Sequence, residues 1–442
     1  MKYKILFTLL AGWISDSQGQ DHFSLRQSID YTLKHHPSQT VYTNNIGIAE
    51  ANSVQTMAGY LPQVSGSATF TDNLKLQTNV LPAGIFGPEP EEIQLGTKYN
   101  SNLGIDVSQT LYDPGKIAGI RGNKPYIAIS RLQQEQNEED IAYNTANAYF
   151  QVLIYEEQIA IQTANKIKYE EMVKTLQYQF EKGTVLEKDV DRVRVNLNAA
   201  NYQLEDAKTR HHLAINTLKN AMGLPIDANL AIIDSINYEQ FAERNEDDAF
   251  ELGALTEVKI GEKSIELQQV NLLTKQAGYL PSVSFFSKIA AQSLANDFSD
   301  AFSSWKSFSY VGLSVSVPIF SGFRRQSQVK EERLKLENEK HNLQIREQSY
   351  NLRFENAKTS VGTAYGNYQS NKDNMALALK LRKVTEYQYQ RGVATLTDFL
   401  NDDTAYKSAQ SNYINSLYNL IVSQLEFQKS RGNLFPFLNS LQ

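Results

Sequence analysis

Most of the side chains that do chemistry are missing from this chain, or stand at spacings that cannot use them. There is no cysteine, which excludes disulfides, thiol catalysis and thiolate metal sites. The six histidines are His22, His35, His36, His211, His212 and His341. The adjacent pairs point to different faces of a helix, and none has ligand spacing with acidic partners. No glycine-rich phosphate loop and no nucleophile–base set is present, so neither an enzyme nor a cofactor is expected. What remains is a matched pair of acids. Asp189 follows Gly183 by six residues, and Asp398 follows Gly392 by six. Thr395 and Asp398 also form a T-x-x-D capping box, and an acid in a first helical turn is favoured by the helix dipole. Capping therefore competes with any functional reading of these acids. Gly183 and Gly392 are most simply helix C-caps.

The matched acids belong to a duplicated framework. AGYLPQVS runs from Ala58 to Ser65 and AGYLPSVS from Ala277 to Ser284, with seven of eight residues shared. LGIDVSQTLYDPG (from Leu103) corresponds to VGLSVSVPIFSG (from Val311), and FEKGTVLEKDV (from Phe180) to YQRGVATLTDF (from Tyr389). Gly183 and Gly223 are 40 residues apart, as are Gly392 and Gly432. Landmarks in one order, twice, indicate two copies of one structural unit.

Each copy holds two stretches of period-two alternation, the mark of strands with one apolar and one polar face. In the first copy these are Val64 to Val80 and Leu103 to Leu111. In the second, Val311 to Ile319 alternates cleanly, while Val283 to Leu294 is noisier because Phe285 and Phe286 are adjacent. Soluble strands average roughly 5–6 residues, and these patterns run longer. Apolar toward lipid and polar toward water is the alternation of membrane strands. Four strands cannot close a barrel and open edges are not tolerated in lipid, so a membrane reading requires several chains to share one barrel.

The rest reads as long helix. No Gly or Pro occurs between Tyr126 and Lys182, a run that would reach about 85 Å as a helix. Within it a heptad seam passes through Val152, Ile159, Val173 and Phe180. Thr184 to Met222 forms the return. The second copy runs from Phe323 to Arg391, interrupted only by Gly362 and Gly366, and returns over Val393 to Arg431. A helix precedes each pair of strands, at roughly 25–57 and 256–276. Pro125, with Gly119 and Gly122, predicts a distorted start to the first long helix. Leu224-Pro225 and the acidic run Glu246-Asp247-Asp248 mark 224–255 as irregular, a belt around the middle.

The bulk composition agrees. The formal net charge is -6 with no basic block, which makes nucleic acid a poor partner. Hydrophobic content is 41%, low for a single large globular core. Lys2 and Lys4 precede an apolar run from Ile5 to Ile14, with Ser17 and Gly19 at a cleavage-like site, the layout of a secretory signal peptide. The expected organisation is a signal peptide at 1–19; a first repeat at 20–223 with strands about 63–80 and 98–113 and a hairpin tip near Gly183; an equatorial segment at 224–255; a second repeat at 256–432 with strands about 282–294 and 306–320 and a tip near Gly392; and a C-terminal equatorial tail at 433–442.

The duplicated AGYLP, LYDPG, VGLSVSVPIFSG, TANAYFQVL, FEKGTVLEKDV and YQRGVATLTDF segments, in this order, resemble the TolC-like outer-membrane efflux proteins over essentially the whole mature chain. The resemblance implies an α+β membrane protein: a homotrimer with a 12-stranded β-barrel in the outer membrane, four strands per chain, continued by a 12-helix α-barrel of coiled-coil helices in the periplasm. It implies an exit duct for a tripartite efflux pump or type I secretion system, with a periplasmic adaptor protein, an inner-membrane transporter and outer-membrane lipid as partners. A non-conducting periplasmic coiled-coil scaffold is the alternative; it leaves the four amphipathic strands unexplained. The resemblance further places a periplasmic gate at the second-copy turn, where Tyr389 matches a tyrosine that bonds an aspartate matched by Asp189. Three Asp398 side chains would form a cation-favouring ring. The family's second aspartate matches Asn401, followed at once by Asp402 and Asp403. The tips at Gly183 and Gly392, with Lys182 and Arg391, are the expected adaptor contacts. One departure is Ala394, where well-known members carry arginine; Phe180 likewise stands in place of a tyrosine.

Overall fold

The structure is a computed structural model that describes residues 22–82, 84, 88–233, 238, 241 and 250–441. The leader expected at 1–19 and the acidic run at 246–248 lie outside the described residues. In chain order the elements are β1 (His22–Phe23), α1 (Leu25–His35), α2 (Pro37–Ala58), β2 (Gln63–Asp72), β3 (Thr78–Leu81), β4 (Glu91–Gln94), β5 (Tyr99–Tyr112), α3 (Pro114–Arg121), α4 (Asn123–Glu181) and α5 (Glu187–Met222). Then follow β6 (Ala231–Ile232), α6 (Thr256–Ala277), β7 (Ser282–Ala295), β8 (Trp305–Ser316), α7 (Arg324–Gln390), α8 (Leu396–Ser430) and α9 (Leu434–Ser440). The chain divides into two compact units, one of Asn44–Arg131 with Ile260–Gln344, the other of the remaining described segments.

The first unit holds a four-stranded antiparallel sheet in the order β2-β5-β7-β8. Each repeat contributes one hairpin, and the two hairpins join through β5 and β7. The register resolves the faces. Val64, Ala68 and Phe70 share a face with Leu103, Ile105 and Val107, then with Phe285 and Ile289, then with Val311 and Leu313. These side chains are largely exposed: Val64 67%, Ile289 64%, Val311 68%. Ser65, Ser67, Thr69, Asp106, Ser108, Ser284 and Ser314 share the opposite face. β2 and β8 are edges, each with one side unpaired.

The repeated AGYLP is a repeated hinge. After α2, the N–H of Tyr60 donates to Met57 O (3.0 Å) and that of Leu61 to Ala58 O (3.0 Å). After α6, Tyr279 donates to Gln276 O (3.2 Å) and Leu280 to Ala277 O (3.0 Å). Pro62 and Pro281 have no N–H to prolong the helix, and a strand begins at the next residue in both copies. The Tyr60 hydroxyl donates to Asp113 O at 2.6 Å, tying the two ends of the first hairpin together.

The helical unit is built on α1, most of α4, α5, α8 and much of α7. Its main core gathers Leu25 and Ile29, Tyr149, Phe150 and Val152, Leu218 and Met222, Leu420, Ile421 and Leu425, and Leu434 and Leu438 of the short α9. β1 pairs in parallel with β6. The Tyr149 hydroxyl donates to Ile233 O (2.6 Å) and Phe23 O (3.1 Å), which fastens this pair to α4. Phe150, Phe241 and Phe437 stack edge to face in a chain of rings. Leu224, Leu230, Ile232, Tyr238 and Phe241 thus meet residues near both ends of the described chain around one core.

Several expectations are corrected. The first strand stops at Asp72, and the end of the alternation, up to Val80, belongs to a separate ribbon of β3 with β4, which starts inside the expected strand and ends between the expected strands. Asn73 closes the sheet there: its N–H donates to Lys98 O (2.7 Å) and its amide to Thr97 O (2.9 Å). β8 ends at Ser316, short of Ile319, because Pro318 has no ladder donor. The helix expected over 25–57 breaks at His36, whose ψ of 130° is the extended backbone that a following proline enforces. The start of the first long helix is interrupted, as Pro125, Gly119 and Gly122 suggest: α3 and α4 are separated at Gly122, whose backbone stays helical (φ -69°, ψ -17°) and where an added Cβ would meet Gly119 O, Leu267 and Val270 at 3.1–3.3 Å. Pro125 then falls in the first turn of α4, where its missing N–H has no intrahelical partner to lose. α7 passes through Gly362 and Gly366 without interruption.

Candidate functional site

The hairpin tips lie in the helical unit. Gly183 and Gly392 have φ of 74° and 73°, a left-handed conformation that glycine adopts without a Cβ clash. Both tips close by the same pair of backbone bonds. Gly183 N–H donates to Phe180 O (2.8 Å) and Thr184 N–H to Gln179 O (2.9 Å); Gly392 donates to Tyr389 O (3.0 Å) and Val393 to Gln388 O (2.9 Å). Gly223 and Gly432, 40 residues on, share the conformation and the bonding.

The side chains differ. α8 starts with a complete capping box: Thr395 Oγ1 accepts from Asp398 N–H (3.2 Å), and Asp398 Oδ2 accepts from Thr395 N–H (3.0 Å) and from its hydroxyl (2.6 Å). These bonds hold the Asp398 carboxyl below its ordinary pKa. The N-cap of α5 is Leu186, whose side chain caps nothing, which leaves Glu187 and Asp189 as the acids of its first turn. Arg192 Nη1 donates to Thr397 Oγ1 at 2.7 Å, joining the two tips.

Tyr389 is half-buried and stacks on Phe399, centroids 5.9 Å apart. Burial, then the nearby Asp189 charge, push its hydroxyl above the ordinary value. No hydrogen bond joins Tyr389 to Asp189 among the described contacts of one chain. Asn401 is exposed, and Asp402 accepts from Thr385 of α7. The Arg391 guanidinium lies over the Tyr387 ring (5.2 Å) and Lys182 over Tyr178 (5.3 Å), both pointing into solvent. Met172, Leu176, Val185, Tyr389 and Phe399 line a cleft of about 570 Å³ between the two hairpins.

The residue that sequence reasoning passed over is Asp403. Its side chain is 0% exposed. It accepts from Lys168 and from the Tyr169 hydroxyl, both on α4, and lies 3.7 Å from Arg382 of α7 and 4.0 Å from Lys407 of α8. Lys168 and Lys407 also sit over the Tyr169 ring, at 4.5 and 4.8 Å. Burial lowers both lysine pKa values against the pull of Asp403, and it raises that of Tyr169. One buried carboxylate thus ties three helices from both repeats. Beneath it Leu176, Val190, Val193, Leu396 and Phe399 form an apolar cluster. Among the described residues no group of acids and histidines is arranged to hold a metal ion.

The profile of the outer membrane efflux proteins matches residues 32–224 and 261–433, the two repeats without the segment between them. The chain belongs to the outer membrane efflux protein family. It is a channel-family protein of the outer membrane and not an enzyme. It is 22% identical over 359 residues to the outer membrane protein TolC of Salmonella enteritidis, covering 76% of this chain and 70% of TolC. To the alkaline protease secretion protein AprF of Pseudomonas aeruginosa it is 21% identical over 330 residues, covering 72% and 67%. The fold matches the CmeC outer membrane channel of Campylobacter jejuni with a TM-score of 0.72 at 17% identity, over 93% of this chain and 86% of that one. Among the described residues no helix of this efflux protein is long and apolar enough to cross a membrane.

Proposed function

We propose that three copies close their sheets into one 12-stranded barrel that conducts solutes across the outer membrane, with the helices continuing as a duct into the periplasm. The observation that carries this is the open four-stranded sheet: one face apolar and exposed, one polar, both edges unpaired. Lipid does not tolerate such edges, and pairing β8 of one copy with β2 of the next removes all of them. Three copies give a strand number within the range of outer-membrane barrels, which begins at about 8.

The duct serves as the exit of a tripartite pump or type I secretion system, receiving cargo from an inner-membrane transporter through a periplasmic adaptor. Likeness to TolC and to a protease secretion protein supports the class. The tips at Gly183 and Gly392, with Lys182 and Arg391, are the adaptor contact. Tyr389, Asp189, Asp398, Asn401 and Asp402 border the periplasmic constriction. Expressed in a Gram-negative host and reconstituted in planar bilayers, the protein is expected to give discrete ion-conducting steps. Tyr389→Phe with Asp398→Ala is expected to raise the conductance of each step. Fractionation with soluble periplasmic protein, and no conductance, would contradict the reading.

A further inference from the structure

On the polar face of the sheet the two repeats are unlike. β2 and β5 present Ser65, Ser67, Thr69, Asn102 and Ser108 there. β7 and β8 present three aromatic rings on the same face. Phe286 pairs with Ser108 and Gly312, Tyr310 with Lys288, which itself pairs with Asp106, and Phe308 with Ala290. The rings are 38% (Phe286), 43% (Phe308) and 50% (Tyr310) exposed, so they are no one's core. Phe286 and Tyr310 meet edge to face, centroids 6.1 Å apart. Phe286 lies across Gly312, where an added Cβ would come within 2.6 Å of Cζ. Glycine is what lets the ring spread over the neighbouring strand. Lys288, the cation paired with Tyr310, is spent on Asp106 at 3.1 Å, and Lys306 lies at the far end of the strip, two residues before Phe308.

Anchoring in lipid does not need these rings, because Phe285, Ile289, Val311 and Leu313 already supply the apolar face of the same two strands. A contiguous aromatic patch on an otherwise hydrophilic surface marks a binding surface. Ring faces attract both other rings and organic cations, the latter most strongly when no protein cation competes.

We propose that Phe286, Phe308 and Tyr310 form a cargo-contact strip inside the barrel that takes ring-bearing small molecules, organic cations foremost. The assignment rests on the duct reading, which makes the polar face the lumen; three-fold symmetry then sets three such strips between three hydrophilic ones. Each strip lets an amphiphile slide on rings without leaving water.

The test is current block in planar bilayers with the full protein. Tetraphenylphosphonium is the probe, and tetraethylammonium, of equal charge without rings, the control. Wild-type steps are expected to show tetraphenylphosphonium blockades whose dwell times fall roughly fivefold or more in Phe286→Ser/Phe308→Ser/Tyr310→Ser, the scale of one to two lost ring contacts. The single variant Phe308→Ser is expected to show an intermediate fall, and tetraethylammonium no change in any channel. Unblocked ion conductance reports that each variant is folded. Conducting channels with equal dwell times in wild type and variants would overturn the assignment alone. A wild type that conducts nothing would overturn the duct and the assignment with it.

Discussion

The two hairpin tips share a backbone and differ in how side chains hold it. Both turn on a left-handed glycine with the same two bonds. Thr395 and Asp398 lock the second tip, whereas the equivalent of Thr395 in the first is Leu186, whose side chain makes no capping bond. Asp403, eleven residues after Gly392, is buried among three cations; Arg194, eleven after Gly183, is exposed and bonds Gln177 and Asp191 on the surface. Duplication has kept the turn and moved the polar fastening into the second copy. The absence of an arginine at Ala394 fits this picture, because α4, α7 and α8 are already tied through Asp403.

The largest effect should come from Asp403. Asp403→Ala leaves three partly buried cations without their buried counter-charge and is expected to cost about 3 kcal/mol in chemical unfolding followed by helical circular dichroism. Arg194→Ala should change stability by no more than about 0.5 kcal/mol. Asp403→Leu with Lys168→Met should recover part of the loss, because an apolar replacement needs no partner charge. Equal losses for Asp403→Ala and Arg194→Ala would erase the contrast between the tips.

The glycines test the shared backbone. Gly183→Ala and Gly392→Ala should each cost about 1–2 kcal/mol, the penalty of a left-handed alanine. Gly223→Ala should cost more, because its Cβ would also meet Pro37 Cδ at 2.9 Å. Smaller still is the cap: Thr395→Ala should lose about 1 kcal/mol, and Leu186→Ser in the first tip should gain up to about that amount.

The last test is acid. The folded pKa of Asp398 lies below its ordinary value of 3.8. Its contribution is therefore fully present above the unfolded value and lost as pH falls through the folded one. Asp398→Asn should flatten the acid limb of the stability profile below about pH 4, with little change at neutral pH.

Much of this was legible in the sequence because it is local. Period-two alternation marked Leu103 to Leu111 within β5 and Val283 to Leu294 within β7, and the paired glycines 40 residues apart stand at four helix ends. What escaped was non-local. In the sequence Asp403 stands out only as a neighbour of Asn401 and Asp402, and nothing local marks its burial, which depends on Lys168 and Tyr169, more than 230 residues away. The neighbours Phe285 and Phe286 blurred the β7 pattern, and only the register with β5 and β8 assigns them to opposite faces. The ribbon of β3 and β4 continued the alternation of β2, so nothing local signalled the change of partner at Asn73.

The central claim is that the open sheet closes through copies of itself, and native mass spectrometry of the detergent-solubilised protein tests it most directly. The account predicts a single assembly of three chains. A monomer or a dimer as the stable species would contradict it.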